Sequence, residues 1–256
     1  MGAIIQRERF SVKDSKIALL IPCYNEEECI ENVINQITRA LPDVWLCIVN
    51  DCSKDRTAEI VRKAAAGNEH VVLLDLPVNL GIGGAVQTAF RYAARNGFDY
   101  AVKVDGDGQH PISELPKLLA PLEDDSADMV IGSRFLEKEG FQSTFIRRFG
   151  INFFRILNSL LIGQKITDNT SGFRAYNRKA LCFAEDHYPS FDYPEPEEVI
   201  LMAKNGFRIK EVPARMESRQ GGVSSISPLK ATYYMLKVCF SVLMAASRKS
   251  LRRKDA

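Results

Sequence analysis

The stretch YAVKVDGDGQHP, Tyr100 to Pro111, sets Asp105 and Asp107 one glycine apart at the end of an apolar run, with Gln109 and His110 directly behind. Two unit charges about 4 Å apart at an effective dielectric of about 20 repel by roughly 4 kcal/mol. Solvent around an open turn offsets that repulsion, and so does a divalent cation held between the two carboxylates. Other polar and glycine clusters share the setting, each following an apolar run. They are Pro22-Cys23-Tyr24-Asn25-Glu26, Asn50-Asp51-Cys52-Ser53, Asn79-Leu80-Gly81-Ile82-Gly83-Gly84 and Ser133-Arg134. Turns and helix caps use these residue types too, so it is their joint placement that points to a site.

The elements that must carry these clusters alternate. Apolar runs at 16–22, 44–50, 70–76, 100–104 and 127–133 predict strands. The segments 26–41, 55–66 and 83–97 predict helices; in the first, Ile30, Val33, Ile34, Ile37 and Leu41 fall at helical spacing. Strands apolar throughout and alternating with helices predict an α/β fold, a mostly parallel sheet covered on both faces. Such sheets bind ligands beyond the C-terminal ends of their strands, where the polar clusters fall. GIGGAV offers a rival, a dinucleotide fingerprint with acidic Asp105 downstream. Against it, Val86 stands where the third glycine belongs, and the glycines follow the third strand rather than the first.

The chain has 256 residues, 46% apolar, which permits a large core and excludes general disorder. A formal charge of +2 argues against a nucleic-acid binder working through bulk charge. The six cysteines form no CxxC pair and lie mostly in apolar runs, as reduced thiols in a cytosolic setting would. The N-terminal MGAIIQRERF lacks the apolar core of a secretory signal.

Seven stretches, IPCYNEE, VNDCSKD, NLGIGGA, VDGDGQHP, IGSRF, DNTSGFRAYNRKAL and RQGGVSS, run in order between residues 21 and 225. Together they make the chain resemble the family-2 glycosyltransferases of GT-A fold, within them the polyprenyl-phosphate sugar synthases of the dolichol-phosphate mannose synthase type. The resemblance implies a nucleoside-diphosphate sugar donor held by Pro22, Tyr24, Glu26, Asp51, Asn79, Gly81 and Asp105. It implies Mg2+ or Mn2+ on Asp105, Asp107 and Gln109, and oxygen ligands suit those metals. Ile82 departs from the lysine that many relatives carry after NLG.

Breaking a sugar–diphosphate bond develops negative charge on the leaving group, which a metal clamped there stabilises by several kcal/mol. A hydroxyl acceptor needs a base; a lipid phosphate is already an anion and needs positioning cations. Arginine's forked donors suit that task. By the resemblance, Arg134 and Arg148 grip the acceptor phosphate, Arg219 a phosphate of donor or acceptor, and Asp168, Ser171 and Arg174 line the sugar side. Asp107, Arg134, Arg148 and Arg219 form the expected catalytic set. FDYPEPEEV keeps a second acceptor open: Glu195, Glu197 and Glu198 stand where relatives acting on a glycan hydroxyl place their base. A nicotinamide oxidoreductase and a noncatalytic binding module are the remoter alternatives.

Residues 140–167 contain no acid and four bases, Arg147, Arg148, Arg155 and Lys165, among many aromatic and aliphatic side chains. That pattern fits a helix lying in a bilayer interface. The apolar segment 231–246 is shorter than the roughly 20 residues a spanning helix needs, and Arg248, Lys249, Arg252, Arg253 and Lys254 follow it. The expected organisation is a catalytic domain over 1–225, with 140–167 as its membrane-facing insert, and an interfacial helix and basic tail over 226–256. The expected location is peripheral, on the cytoplasmic face of a membrane. A small integral membrane protein is an expected partner, and a homo-oligomer is compatible with the sequence.

Overall fold

β1 (Ile17–Cys23) is buried at every position, as a strand must be when it has neighbours on both edges and layers on both faces. In this computed structural model, which describes residues 15–136, 157–189, 193–217 and 228–247, β1 pairs in parallel with β2 (Trp45–Asn50) and β4 (Tyr100–Lys103). β3 (Val71–Asp75) pairs with β2. Cys23 is level with Asn50, Asn50 with Asp75, and Leu20 with Lys103. The loops leaving these strands therefore rise from one edge of the sheet.

Helix α1 (Ile30–Ala40) starts at the first of its spaced apolar residues, later than the predicted boundary at residue 26. Residues before it are held in a loop instead: Asn25 adopts φ +54°, and the Glu26 amide donates to Thr57 Oγ1 at 2.8 Å. α2 (Thr57–Gly67) and α3 (Gly81–Arg95) complete the alternation. α3 begins two residues before its predicted start because the Asp51 carboxylate accepts the Leu80 amide at 2.6 Å, a cap supplied from another loop.

The sheet has seven strands among the described residues, in the order β3-β2-β1-β4-β6-β5-β7. β5 (Met129–Ser133) and β7 (Ile209–Pro213) are parallel to each other, while β6 (Arg174–Asn177) lies between β4 and β5 and antiparallel to both. The expected mostly parallel sheet is thus present, with this one reversal. It brings the chain entering β6 alongside the loop leaving β4.

α1, α2 and α4 (Leu115–Glu123) cover one face of the sheet, around Ile21, Ile34, Val61 and Leu118. α3 and α5 (Arg178–His187) cover the other, around Phe90, Phe98 and Tyr176, together with residues of α6 (Glu195–Lys204). α7 (Pro228–Ser247) packs on α6, where Val242 and Ala245 meet Ile200, joined by Leu157 and Ile162 of the helical residues 157–162. The expected insert therefore falls inside the described residues only from 157 onward, and the basic tail 248–256 falls outside them.

At the edge opposite the loops, Asp128 ties the last three strands together. Its carboxylate accepts from the Arg208 amide at 2.8 Å, from Arg208 Nη2 at 3.1 Å and from Asn177 Nδ2 at 2.9 Å. Burial alone would raise this carboxyl, but the Arg208 and Asn177 bonds outweigh it and hold it well below the usual carboxylate range. A carboxyl depressed in the native state contributes stability above its unfolded value near 4, and that contribution is lost as pH falls. Asp128→Asn should therefore unfold about 1–3 kcal/mol more easily than wild type at pH 7. The two proteins should converge as pH falls toward 2, measured by urea titration at both pH values.

Candidate active site

The loop leaving β4 carries the two aspartates, and its packing explains the glycine between them. A Cβ at Gly106 would lie 2.7 Å from Cys23 Sγ and 3.3 Å from the Pro22 carbonyl oxygen, so the loop lies directly on the end of β1. Cys29, at the start of α1, donates its thiol toward Glu26 Oε2 at 3.2 Å and the Gly106 carbonyl at 3.4 Å. Burial, then Glu26, pushes that thiol up to about 12, so it stays protonated as a donor. The loops after β1 and β4, which carry Tyr24, Glu26 and the aspartates, are thereby joined through one side chain.

The two carboxylates differ in access. Asp107 is 2% exposed and its Oδ1 accepts the Gln109 amide at 3.0 Å, which closes the turn. The Asp105 side chain is 37% exposed. It lines a cleft of about 240 Å3 with Gly108, His110 and Glu217, against Val33 and Ile37 of α1. A Cβ on Gly172, in the chain entering β6, would stand 3.4 and 3.5 Å from the two Asp105 oxygens.

His110 is the residue whose part in this loop the sequence did not assign. Its Nδ1 accepts the Asp105 amide at 3.0 Å, its Nε2 lies 3.6 Å from Asp105 Oδ2, and its ring stacks on Phe173 with centroids 4.6 Å apart. Burial lowers its pKa against the pull of Asp105 and Asp107, so the imidazole is neutral. A neutral ring that accepts at Nδ1 carries its proton on Nε2, facing the carboxylate.

Asp51 and Asn79 meet where β2 and β3 end. Asn79 Nδ2 donates to the Asp51 carbonyl at 3.0 Å, and the Asp51 carboxyl, raised by burial, caps α3 at Leu80. Gly81, at φ +74°, opens the helix in a conformation that favours glycine. A protein carboxylate thus occupies the helix start where a dinucleotide reading needs a pyrophosphate. Pro22 is buried in β1, and Tyr24 stands 44% exposed beside the loops.

Beyond β5, Arg134 forms a two-pronged pair with Asp168: Nε to Oδ2 and Nη2 to Oδ1, both at 2.7 Å. Nη2 also reaches Thr170 Oγ1 at 2.7 Å. Asp168 is fully buried and held in turn by Glu211, whose carboxylate accepts the Thr167 and Asp168 amides at 2.7 and 2.8 Å. Two of the residues expected to line the sugar lie behind this surface instead. Ser171 Oγ donates to the Gly132 carbonyl at 2.7 Å, and Arg174 is fully buried, bonding Ser171, Asn169, Glu195 and Glu198. Arg148 and Arg219 lie outside the described residues.

The acids in the first turn of α6 are drawn inward. Lys103, 1% exposed on β4, bonds Glu195 Oε1 at 2.7 Å and lies 3.3 Å from the Tyr188 hydroxyl. Arg174 Nη1 bonds Glu198 Oε2 at 2.8 Å, both side chains being fully buried. Burial alone would raise the Glu195 carboxyl, but Lys103 and Arg174 outweigh it and bring it below its ordinary range.

A cation fits the aspartate loop by donor chemistry. Among the described residues no group of three or more His, Cys, Asp or Glu side chains is placed to hold a metal. Magnesium-type sites at nucleotides need only one or two carboxylates, because substrate phosphates and water complete the shell. Asp105 and Asp107 supply that number of hard oxygen donors, one of them open to a cleft.

The model of glycosyl transferase family 2 matches residues 18–183. Similar proteins include a UDP-N-acetylglucosamine–dolichyl-phosphate N-acetylglucosaminyltransferase of Methanococcus voltae, 32% identical across 79% of this chain and 86% of that protein. An undecaprenyl-phosphate mannosyltransferase of Micrococcus luteus is 31% identical across 83% of this chain and 88% of its own. Among solved structures, glucosyl-3-phosphoglycerate synthase of Mycobacterium tuberculosis, in complex with Mn2+, UDP and phosphoglyceric acid, superposes with a TM-score of 0.68. It is 21% identical, over 91% of this chain and 79% of that one, and shows the shared GT-A fold.

The contact at Gly106 can be tested directly. Gly106→Ala should lower stability by about 1–3 kcal/mol through overpacking against Cys23. Removing the sulfur in Gly106→Ala/Cys23→Ala should return part of that loss relative to Cys23→Ala alone, read from thermal melts of the four proteins.

Proposed function

Because the chain belongs to glycosyl transferase family 2, and is a glycosyltransferase, we propose that it moves a sugar from a nucleoside-diphosphate donor to a polyprenyl phosphate at a membrane surface, with inversion at the anomeric carbon. The observation that carries the choice of acceptor is the state of the acids on α6. Glu195 is paired with Lys103 and Glu198 with Arg174. A carboxylate held by a buried cation is a poor proton acceptor, so neither suits the base that a glycan hydroxyl requires. Glu197, the third acid of that turn, is 7% exposed, and Glu197→Gln should keep transfer within about tenfold of wild type. A phosphate monoester arrives with its negative charge in place. The names of the relatives support the same acceptor class.

Asp105 and Asp107 would hold Mg2+ or Mn2+, with Gln109 beside them, and a cation bound there would supply positive charge against the departing diphosphate. Tyr24, Glu26, Asp51 and Asn79 sit on the adjoining loops, around the position of the donor's nucleoside. Arg134, paired with Asp168 at the end of β5, is the described arginine that the reading assigns to the acceptor phosphate. In-line attack by the acceptor oxygen forms the new bond to the anomeric carbon as the bond to the donor diphosphate breaks, which inverts the centre.

No helix of the described residues is long and apolar enough to cross a membrane. α7 exposes Phe240 by 67% and Leu243 by 52%, and the neighbouring residues 157–162 expose Leu160 by 77%. The lysines and arginines at 248–254 follow directly in the chain. Apolar side chains beside a basic run match the surface of a bilayer with anionic lipids, and support a peripheral enzyme on the cytoplasmic face.

A donor screen with polyprenyl phosphate and Mn2+ or Mg2+, read by mass spectrometry, should yield a polyprenyl-linked sugar. Asp105→Asn and Asp107→Asn should each reduce that yield by about a thousandfold without unfolding the protein. Replacing the inner pair together, Lys103→Met/Glu195→Leu, leaves no buried charge unmatched and should keep transfer within about tenfold of wild type. A loss of transfer with donor binding intact would instead show that Glu195 takes part in the reaction, and a wild type that glycosylates a glycan hydroxyl but no polyprenyl phosphate would establish the hydroxyl as acceptor. Phe240→Glu/Leu243→Glu should cut co-sedimentation with anionic vesicles at least about tenfold and leave donor binding unchanged.

A further inference from the structure

The loop between Asp105 and His110, whose turn Asp107 closes, is also tied back on itself by the His110 side chain. The Asp105 amide donates to His110 Nδ1 at 3.0 Å, and His110 Nε2 stands 3.6 Å from Oδ2 of the same aspartate. The second approach is an electrostatic contact, longer than a hydrogen bond. The ring is fixed from behind, stacked on Phe173 at an interplanar angle of 11° and buried to 6% exposure. Phe173 lies beside Gly172, the residue that meets the Asp105 carboxylate from the other side. One carboxylate is therefore bounded by an imidazole and a bare backbone, and it lines the cleft.

We propose that His110 is a positioning residue of the cation site: it fixes the backbone of Asp105 through Nδ1 and orients the Asp105 carboxylate through Nε2–H. The inference rests on the reading of Asp105 and Asp107 as cation ligands. It assigns His110 no contact with the cation. In the tautomer set by the Asp105 amide, the nitrogen facing the carboxylate carries a proton and has no lone pair to offer. A neutral donor suits the place, since it orders a carboxylate without adding positive charge beside an incoming cation. Groups that orient a ligating carboxylate typically change metal affinity by about 10- to 100-fold when removed.

The test is binding of Mn2+ to the full chain, alone and with UDP, followed by the paramagnetic signal of free Mn2+, with thermal melts in parallel. His110→Phe keeps a ring against Phe173 and removes both nitrogens. It should bind Mn2+ about 10- to 100-fold more weakly than wild type. His110→Asn, whose side-chain oxygen can replace Nδ1, should recover part of that loss even though it gives up the ring stack. If His110→Phe fails to fold, His110→Gln carries the same expectation of weakened binding, because it loses the acceptor for the Asp105 amide. Mn2+ binding by His110→Phe, or in that case His110→Gln, within about twofold of wild type would overturn the proposal and leave the cation reading standing. A wild type that binds no Mn2+, with or without UDP, would overturn both.

Discussion

Two like charges one residue apart must be held in a fixed relation and still be reachable from outside. Cys23 and the Pro22 carbonyl press against Gly106 from below, and Cys29 holds the Gly106 carbonyl from the side. Asp107 is turned inward to close the loop, while Asp105 keeps a third of its surface open. A side chain larger than hydrogen at position 106 would lift the loop from β1 and change the spacing of the carboxylates. The geometry of the acids is therefore set by packing against the sheet, and the sheet's order follows from the need to bury β1 on both faces.

A second set of charges lies beneath the first. Lys103 with Glu195 and Arg174 with Glu198 join β4, β6 and α6 under the aspartate loop. Isolated, each of these charges would be strongly disfavoured in the interior; paired, they hold α6 against the sheet. The same residue type thus serves two purposes in one region. Glutamates facing buried cations hold the scaffold, while Asp105 keeps its carboxylate on a cleft. The partner and the solvent access decide which, through the energy each charge has in its surroundings.

The strands β1 to β5 and helices α1 to α3 were legible because continuous apolar runs and helical spacing reflect burial directly. The loops on the ligand edge were legible for the same reason, since polar residues and glycines interrupt those runs at each strand end. The pattern leaves β6, β7 and helices α4 to α6 unassigned, and β6 is the most hidden of them. Its four residues begin with Arg174, a fully buried charge that reads as surface in a sequence. Arg134 and Asp168 both stand in motifs, but nothing in the sequence marks them as partners, and the resemblance places Ser171 and Arg174 on the sugar side although they lie inside. Nothing local in the sequence marks the Cys29 thiol as a link between two loops.

The sequence by itself determined the alternating α/β architecture, the ligand edge and the aspartate pair, because hydrophobic periodicity and chain order suffice for these. Only the tertiary structure decided which charges pair. Lys103 and Glu195 are 92 residues apart, and Arg134 and Asp168 are 34 apart. Nothing local in the chain distinguishes a glutamate that will meet a buried lysine from one that will face water. That difference arises only when β6 enters the sheet antiparallel and brings α6 beneath the aspartate loop, where low polarity makes each pairing strong and each unpaired charge costly.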